Sequence, residues 1–276
     1  MSKPEPETVE KPVSVGPPKS TAREYFESFV ITLVMALFGM TFILQAVTVP
    51  TGSMQNTILV GDYLLVNKFI FTPGGHELPF LPQREIQRGD IIVFKYPGNK
   101  LHPESDRRRN PPIIPYQINY VKRVIGLPGE TVEFKNDQVF INGELLPEHR
   151  ILGDAEDNVS ALTTQEFEDR TPDQKWSVYY EPRRMQQARE GRLPVEPGRE
   201  FGVPGKILTV PPNSFFVMGD SRDNSEDSRY WGFVPRELII GRAMFVYWSC
   251  DRAASNGSAL GCLTSPRLDR IGKLVR

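Results

Sequence analysis

Residues 29–54 read FVITLVMALFGMTFILQAVTVPTGSM. From Phe29 to Val49 the run carries no charge. As a helix these residues would extend about 32 Å, close to the ~30 Å hydrocarbon thickness of a bilayer. A cleaved secretory leader has a shorter apolar core and a small-x-small site after it. Neither is found here, so a retained anchor is the better reading than a leader or a buried core helix. The run then ends in Pro50-Thr51-Gly52-Ser53-Met54, a small flexible turn with two hydroxyls. The link from Val49 to Ser53 reaches at most about 13 Å when extended. A nucleophile at Ser53 would therefore act close to a lipid surface.

Before the anchor the chain is rich in Pro, Glu, Lys, Ser and Thr and poor in large apolar side chains. Such a composition cannot bury a core, and 1–24 reads as a disordered tail, with the anchor at 25–49. Lys3, Lys11, Lys19 and Arg23 precede the span, while Lys68 is the one cation that follows closely. That bias, opposed by Glu24 and Glu27, puts the N-terminus in the cytoplasm and everything beyond Pro50 outside.

Beyond Pro50 the pattern is one of short strands: Asp62–Phe71, Asp90–Lys95, Ile118–Ile125, Thr131–Phe134, Gln138–Ile141, Ser214–Met218 and Leu238–Trp248. Lys135-Asn136-Asp137 and Asn142-Gly143 read as hairpin turns. The 25 prolines and 22 glycines of this 276-residue chain fit a turn-rich, mainly β domain. Residues 148–206 lose the strand pattern, hold a short helix around Arg183–Glu190, and read as an inserted cap. The catalytic β domain is then 50–147 with 207–276. The last residues, 268–276, read as a plain C-terminal extension. A net charge of −1 excludes nucleic-acid binding by bulk electrostatics. Arg107-Arg108-Arg109 reads as a solvated loop. Cys250 and Cys262 are equally compatible with a disulfide and with two thiols. His76, His102 and His149 show no metal-ligand spacing, which argues against zinc and against a histidine-based triad.

A serine hydroxyl needs a base. Without a suitable histidine, the alternative is a lysine kept neutral by burial, since an exposed lysine titrates near ~10.4. Lys122 lies inside Asn119-Tyr120-Val121-Lys122-Arg123-Val124-Ile125-Gly126. By alternation it shares a face with Tyr120 and Val124, opposite Val121, Arg123 and Ile125. One of the two adjacent cations must point inward unless both lie on an edge strand, and of the two only lysine can discharge. The dense polar loop Gly219–Gly232 follows an apolar strand; Asp227 and Arg229 can pair there, and Ser225 can hold a neighbouring polar group. It lacks the spacing of a calcium-binding EF-hand.

Three stretches together carry a family resemblance: Thr51-Gly52-Ser53-Met54 after an anchor, Tyr120-Val121-Lys122-Arg123 followed by Gly126-Leu127-Pro128-Gly129, and the Gly219–Gly232 loop. They resemble bacterial type I signal peptidase, from about residue 25 to the end and in the right order. The resemblance implies a mainly β, membrane-bound serine endopeptidase of the Ser/Lys type, with no cofactor and no metal. It would remove signal peptides from preproteins delivered by the secretion machinery, on the outer side of the bacterial cytoplasmic membrane. Membrane lipid is a partner in that reading, and nucleic acid is not. Ser53 looks like the nucleophile and Lys122 its base. Thr51 stands where the family usually has a serine whose hydroxyl joins the Ser53 amide in the oxyanion hole. Ser225 would position Lys122, with Asp227 and Arg229 bracing the loop. Ala-x-Ala specificity would come from a pocket walled by Val47, Val49, Pro50, Met54, Ile58, Tyr120 and Val121. Ser221 replaces a common asparagine and receives no role. A self-cleaving repressor with the same dyad would lack the anchor, and an inactive β domain that binds exported chains would not need Ser53, Lys122 and Ser225.

Overall fold

The chain enters its first element through a capped helix. Ser20 accepts the Arg23 amide, and α1 runs Thr21–Phe38, continuing as a π-type turn over Gly39–Ile43. The structure, a computed structural model, describes residues 20–71, 83–154, 161–192, 196–252, 254–255 and 258–276. The proposed tail up to residue 19 and His76 lie outside these, while Thr21–Glu24 form the first turn of α1. The described chain divides at Thr41/Phe42 into two compact units. The stretch Thr21–Ile43, 23 residues with no buried side chain, is long and apolar enough to cross a membrane.

The apolar run is not helical to its end. Leu44–Thr48 form strand β1, paired antiparallel with β2 (Asp62–Asn67). Val47, Thr48 and Val49 are β-branched, and Pro50 disfavours helix in the residue before it, so this end prefers extended backbone. Pairing then gives Val47 and Val49 a buried core, which a helix crossing lipid would not.

The other strands are β3 (Ile91–Lys95), β4 (Asn119–Gly126), β5 (Thr131–Lys135), β6 (Gln138–Ile141), β7 (Glu144–Leu145), β8 (His149–Asp154), β9 (Thr163–Glu166), β10 (Ser177–Tyr180), β11 (Leu208–Thr209), β12 (Ser214–Met218), β13 (Val234–Pro235) and β14 (Ile239–Ser249). Short helices α2 (Pro103–Arg107), α3 (Pro182–Arg189), α4 (Ser228–Trp231) and α5 (Ala259–Thr264) punctuate them. Seven strands form one antiparallel sheet in the order β1-β2-β14-β3-β4-β12-β13. The hairpins β5–β6 and β6–β7 turn at Asn136-Asp137 and Asn142-Gly143, all four with positive φ, as their Asn, Asp and Gly residues allow.

Sheet faces explain the burial of β4. On β3, Ile91 and Val93 enter one core with Leu64 and Val246, while Ile92 and Phe94 enter another with Val124 and Val217. Both faces are covered, so β4, between β3 and β12, buries side chains on both sides. The sequence offered an edge strand or one inward cation; instead Lys122 and Arg123 are 3% and 1% exposed.

Residues 148–206 also contain strands that their sequence did not announce. β10, β8 and β9 form a three-stranded sheet, with β10 and β8 parallel. His149, Arg150 and Asp154 hide β8 from an apolar pattern, and β9 is wholly polar. Trp176, Val178, Tyr180 and Met185 share a core with Ile125, Phe134 and Phe216. The C-terminal segment is likewise no loose extension: Val275 N bonds Met244 O at 2.8 Å and its side chain is buried. Cys250 and Cys262 form a disulfide. Because Trp176 packs into the common core and its ring lies 5.3 Å from the Arg123 guanidinium, Trp176→Ala should destabilise the whole β unit by about 3–5 kcal/mol in a single denaturation transition followed by circular dichroism.

Candidate active site

Ser53 sits in a single 3-10 turn, Gly52–Met54, entered from Thr51 in extended backbone (φ −132°, ψ 152°). The turn buries Gly52, Ser53 and Met54 and leaves Thr51 exposed. Met54 serves as an apolar anchor in the core shared by Val47, Val49 and Ile58. Lys122 Nζ donates to Ser53 Oγ at 2.5 Å. Burial of the ammonium lowers the Lys122 pKa to about 8; Asp227 and Asp220 oppose that fall and Arg229 reinforces it. The lysine also lies 5.5 Å from the Tyr120 ring.

The loop after β12 wraps this pair. A Cβ at Gly219 would stand 2.3 Å from Ser225 Oγ and 2.4 Å from Ser53 O, so only glycine fits between them. Ser221 N donates to Ser53 O at 3.2 Å, fixing the turn from behind. Asp227 accepts Ser225 Oγ at 2.8 Å and Gly219 N at 2.9 Å. Arg229 clasps the same carboxylate at 2.8 and 2.9 Å. Burial alone would push the Asp227 carboxyl up, but Arg229 and these hydrogen bonds hold it below its ordinary value. The Ser225 hydroxyl is thus directed to Asp227, and the Lys122 ammonium to Ser53.

Polar and charged groups to which the sequence reading assigned no role complete the site. Arg123 forms a buried fork with Asp220, 2.7 and 2.6 Å, and Thr57 Oγ1 adds to Asp220 at 2.6 Å. Arg222 meets Glu148 in a second buried pair and reaches Gly219 O at 3.2 Å. Neither Thr57 nor Glu148 carries a local signal, because their partners lie 163 and 74 residues away.

A cleft of about 370 Å³ opens beside Ser53 and Lys122. Val47, Val49, Pro50, Met54, Tyr120 and Val121 line it together with Thr51, Ser53 and Lys122. Ile58 does not: its amide closes the turn onto Met54 O at 2.7 Å, and its side chain is fully buried in the core with Leu64 and Val66. Arg109, from the arginine triplet, also lines the cleft and pairs with Glu226, so it is more than solvated loop. Among the described residues no group of three or more His, Cys, Asp or Glu is placed to hold a metal ion.

A family model described as signal peptidase, peptidase S26, matches residues 22–248. The chain belongs to that family. It is accordingly a serine endopeptidase, a hydrolase, and its apolar N-terminal helix is consistent with a membrane-anchored protein. It is similar to "Signal peptidase I" of Pseudomonas fluorescens, 36% identical over 244 residues, covering 82% of this chain and 72% of that one. It is similar also to "Signal peptidase I" of Aquifex aeolicus, 33% identical over 288 residues, covering 91% of this chain and 97% of that one. The chain is similar also to a solved signal peptidase I from Enterococcus faecalis, 26% identical, covering 58% of this chain and 97% of that one, with a TM-score of 0.28.

The electrostatics of this signal peptidase family site make one direct expectation. The Asp227 anion favours the charged form of Lys122, so Asp227→Asn should lower the Lys122 midpoint below about 8, measured by 15N NMR titration of the lysine Nζ.

Proposed function

We propose that this chain removes N-terminal signal peptides from exported preproteins, with Ser53 as nucleophile and Lys122 as general base. The observation that carries the reading is the 2.5 Å contact of Lys122 Nζ with Ser53 Oγ inside a buried site. Burial lowers the Lys122 pKa to about 8, which leaves a usable neutral fraction near neutral pH. Names of relatives over most of the chain support the substrate class.

In this reading neutral Lys122 takes the Ser53 hydroxyl proton as Oγ attacks the scissile carbonyl. The Ser53 amide and the Thr51 hydroxyl stabilise the oxyanion. Lys122 then gives its proton to the leaving amine, which departs as the new N-terminus of the mature protein. Lys122 next deprotonates a water that hydrolyses the acyl-enzyme, and Ser53 recovers its proton. Ser225, Asp227 and Arg229 keep Lys122 and the loop around Gly219 in place. The apolar cleft walls, from Val47 to Pro50 and from Tyr120 to Val121, suit small side chains before the cut and account for Ala-x-Ala specificity. An extended leader would lie as a strand beside them.

The anchor would keep the N-terminus in the cytoplasm and the catalytic β domain on the outer face of the bacterial cytoplasmic membrane, where preproteins emerge from the secretion machinery. Residues 148–206 would flank the catalytic loop as its support.

The test uses full-length protein in detergent and a preprotein whose leader ends in Ala-x-Ala. Wild type should cut at the leader boundary; Ser53→Ala and Lys122→Met should lose at least about 100-fold in kcat/KM. Lys122 is charged and inactive below its pKa, so wild-type kcat/KM should rise with pH and level off above about 8. Cleavage that survives in Lys122→Met would remove the proposed base. Absence of cleavage by wild type would favour a binding module.

A further inference from the structure

Thr57 takes no part in the reaction described above. It lies four residues past the nucleophile, at the end of the turn that Ile58 N closes onto Met54 O at 2.7 Å. Half-buried, it donates Oγ1 to Asp220 Oδ2 at 2.6 Å. Asp220 is fully buried, and the same carboxylate holds Arg123 Nε and Nη2 at 2.7 and 2.6 Å. Arg123 is the strand neighbour of Lys122. One carboxylate therefore joins the turn that carries Ser53 to the strand that carries Lys122, on a route separate from the contact between the two.

The main chain runs parallel to this link. Ser221 N bonds Ser53 O at 3.2 Å, and Asp220 N approaches Met54 Sδ at 3.4 Å. These hold the loop to the turn but not to β4. The Arg123 fork holds the loop to β4 but not to the turn. Asp220 is where the two meet, and Thr57 is the hydroxyl that brings the turn to it. A charged acceptor strengthens such a bond, and the β-branched threonine restricts the direction in which its hydroxyl points.

We infer that Thr57 is a positioning residue: by holding Asp220, and through it Arg123, it sets the separation of Ser53 Oγ and Lys122 Nζ. The inference rests on the proposed roles of Ser53 and Lys122. Proton transfer across a short hydrogen bond is steep in distance, and misplacement by ~1 Å costs about 100-fold in rate. Thr57→Val keeps the shape and removes the hydroxyl; Thr57→Ser keeps the hydroxyl. A hydroxyl that merely stabilised the fold would change the melting temperature without changing turnover per folded molecule.

The experiment compares full-length wild type, Thr57→Val, Thr57→Ala and Thr57→Ser in detergent, well below their melting temperatures. Each is given two substrates: the Ala-x-Ala preprotein, and p-nitrophenyl acetate as a small ester that needs no leader recognition. The hydroxyl-free variants should lose about 10- to 100-fold in kcat with KM changed by less than about twofold, and Thr57→Ser should recover most of the loss. Unchanged kcat in Thr57→Val overturns the inference. So does an equal loss in Thr57→Ser, or failure of both hydroxyl-free variants to fold, since the hydroxyl would then serve folding. If wild type leaves the preprotein intact but shows Ser53-dependent ester turnover, the signal-peptide reading fails while the Thr57 comparison is read on the ester. If wild type turns over neither, the Ser53/Lys122 assignment and this inference fall together.

Discussion

The site depends on the burial of a lysine in the middle of a sheet. An ammonium taken out of water loses hydration that no nearby group fully replaces, and the cheaper response is to release the proton. Strand β4 makes this unavoidable because both faces of the sheet around it are covered. The neighbouring position shows the other solution to the same problem. Arg123 cannot discharge, so it is buried with its own counterion, Asp220, in a two-point fork. Two adjacent cations on one strand are thus handled in opposite ways. The arginine is paired and stays charged, whereas the lysine meets a serine hydroxyl and is driven toward neutrality.

Burial lowers the Lys122 pKa to about 8, and negative charge nearby opposes a further fall. Asp227 and Asp220 both raise its pKa, yet each carboxylate is already committed to an arginine, Arg229 and Arg123. The loop Gly219–Gly232 is therefore built as a set of satisfied buried pairs. Such pairs contribute little net stability, because desolvation offsets attraction, but removing one partner strands the other. Their use here is to fix shape. Glu148 reaches in from the 148–206 segment to hold Arg222, and Tyr179 N bonds Asp220 O at 2.8 Å. The segment that reads as an inserted cap in sequence supports the loop from outside.

Local chemistry was legible in the sequence; long-range chemistry was not. The hairpins at Asn136-Asp137 and Asn142-Gly143 announce themselves because positive φ selects those residues. Strands such as Ser214–Met218 are recognisable because one apolar run suffices to define them. β8 and β9 were hidden, since His149 and Arg150 find partners in Glu166 and Glu168 that no window around residue 149 can reveal. The helix-to-strand change at Leu44 was missed for a different reason. Hydropathy is the same for lipid and for a protein core, and only the β-branched Val47, Thr48 and Val49 with the following Pro50 hinted at the difference. At the site, Ser53, Lys122 and the Gly219–Gly232 loop stand out because each breaks its surroundings: hydroxyls after an apolar run, a cation in a strand, polar density after a core strand. Thr57 and Glu148 break nothing locally, and Ile58 looked like cleft because one-dimensional nearness to Ser53 does not say which way a turn points its side chain.

The proposed base role fits one of the titratable groups that the cleft contains. Of the described histidines, His149 is buried against the Glu168 carbonyl and His102 bonds Glu200; neither lines the cleft. The titratable side chains that do line it are Arg109, Tyr120, Lys122 and Glu226. Arg109 cannot give up its proton, it occupies Glu226, and burial pushes the Tyr120 phenol up, which keeps it protonated. Lys122 alone combines contact with Ser53 Oγ and a proton it can lose near neutral pH. An apolar leader lying in the cleft would displace water from the open side of this pair. That would disfavour the ammonium further and add to the neutral fraction at the moment a scissile bond is in place. In the proposed mechanism, the same physics that makes the lysine costly to bury would couple its activation to the arrival of an apolar chain.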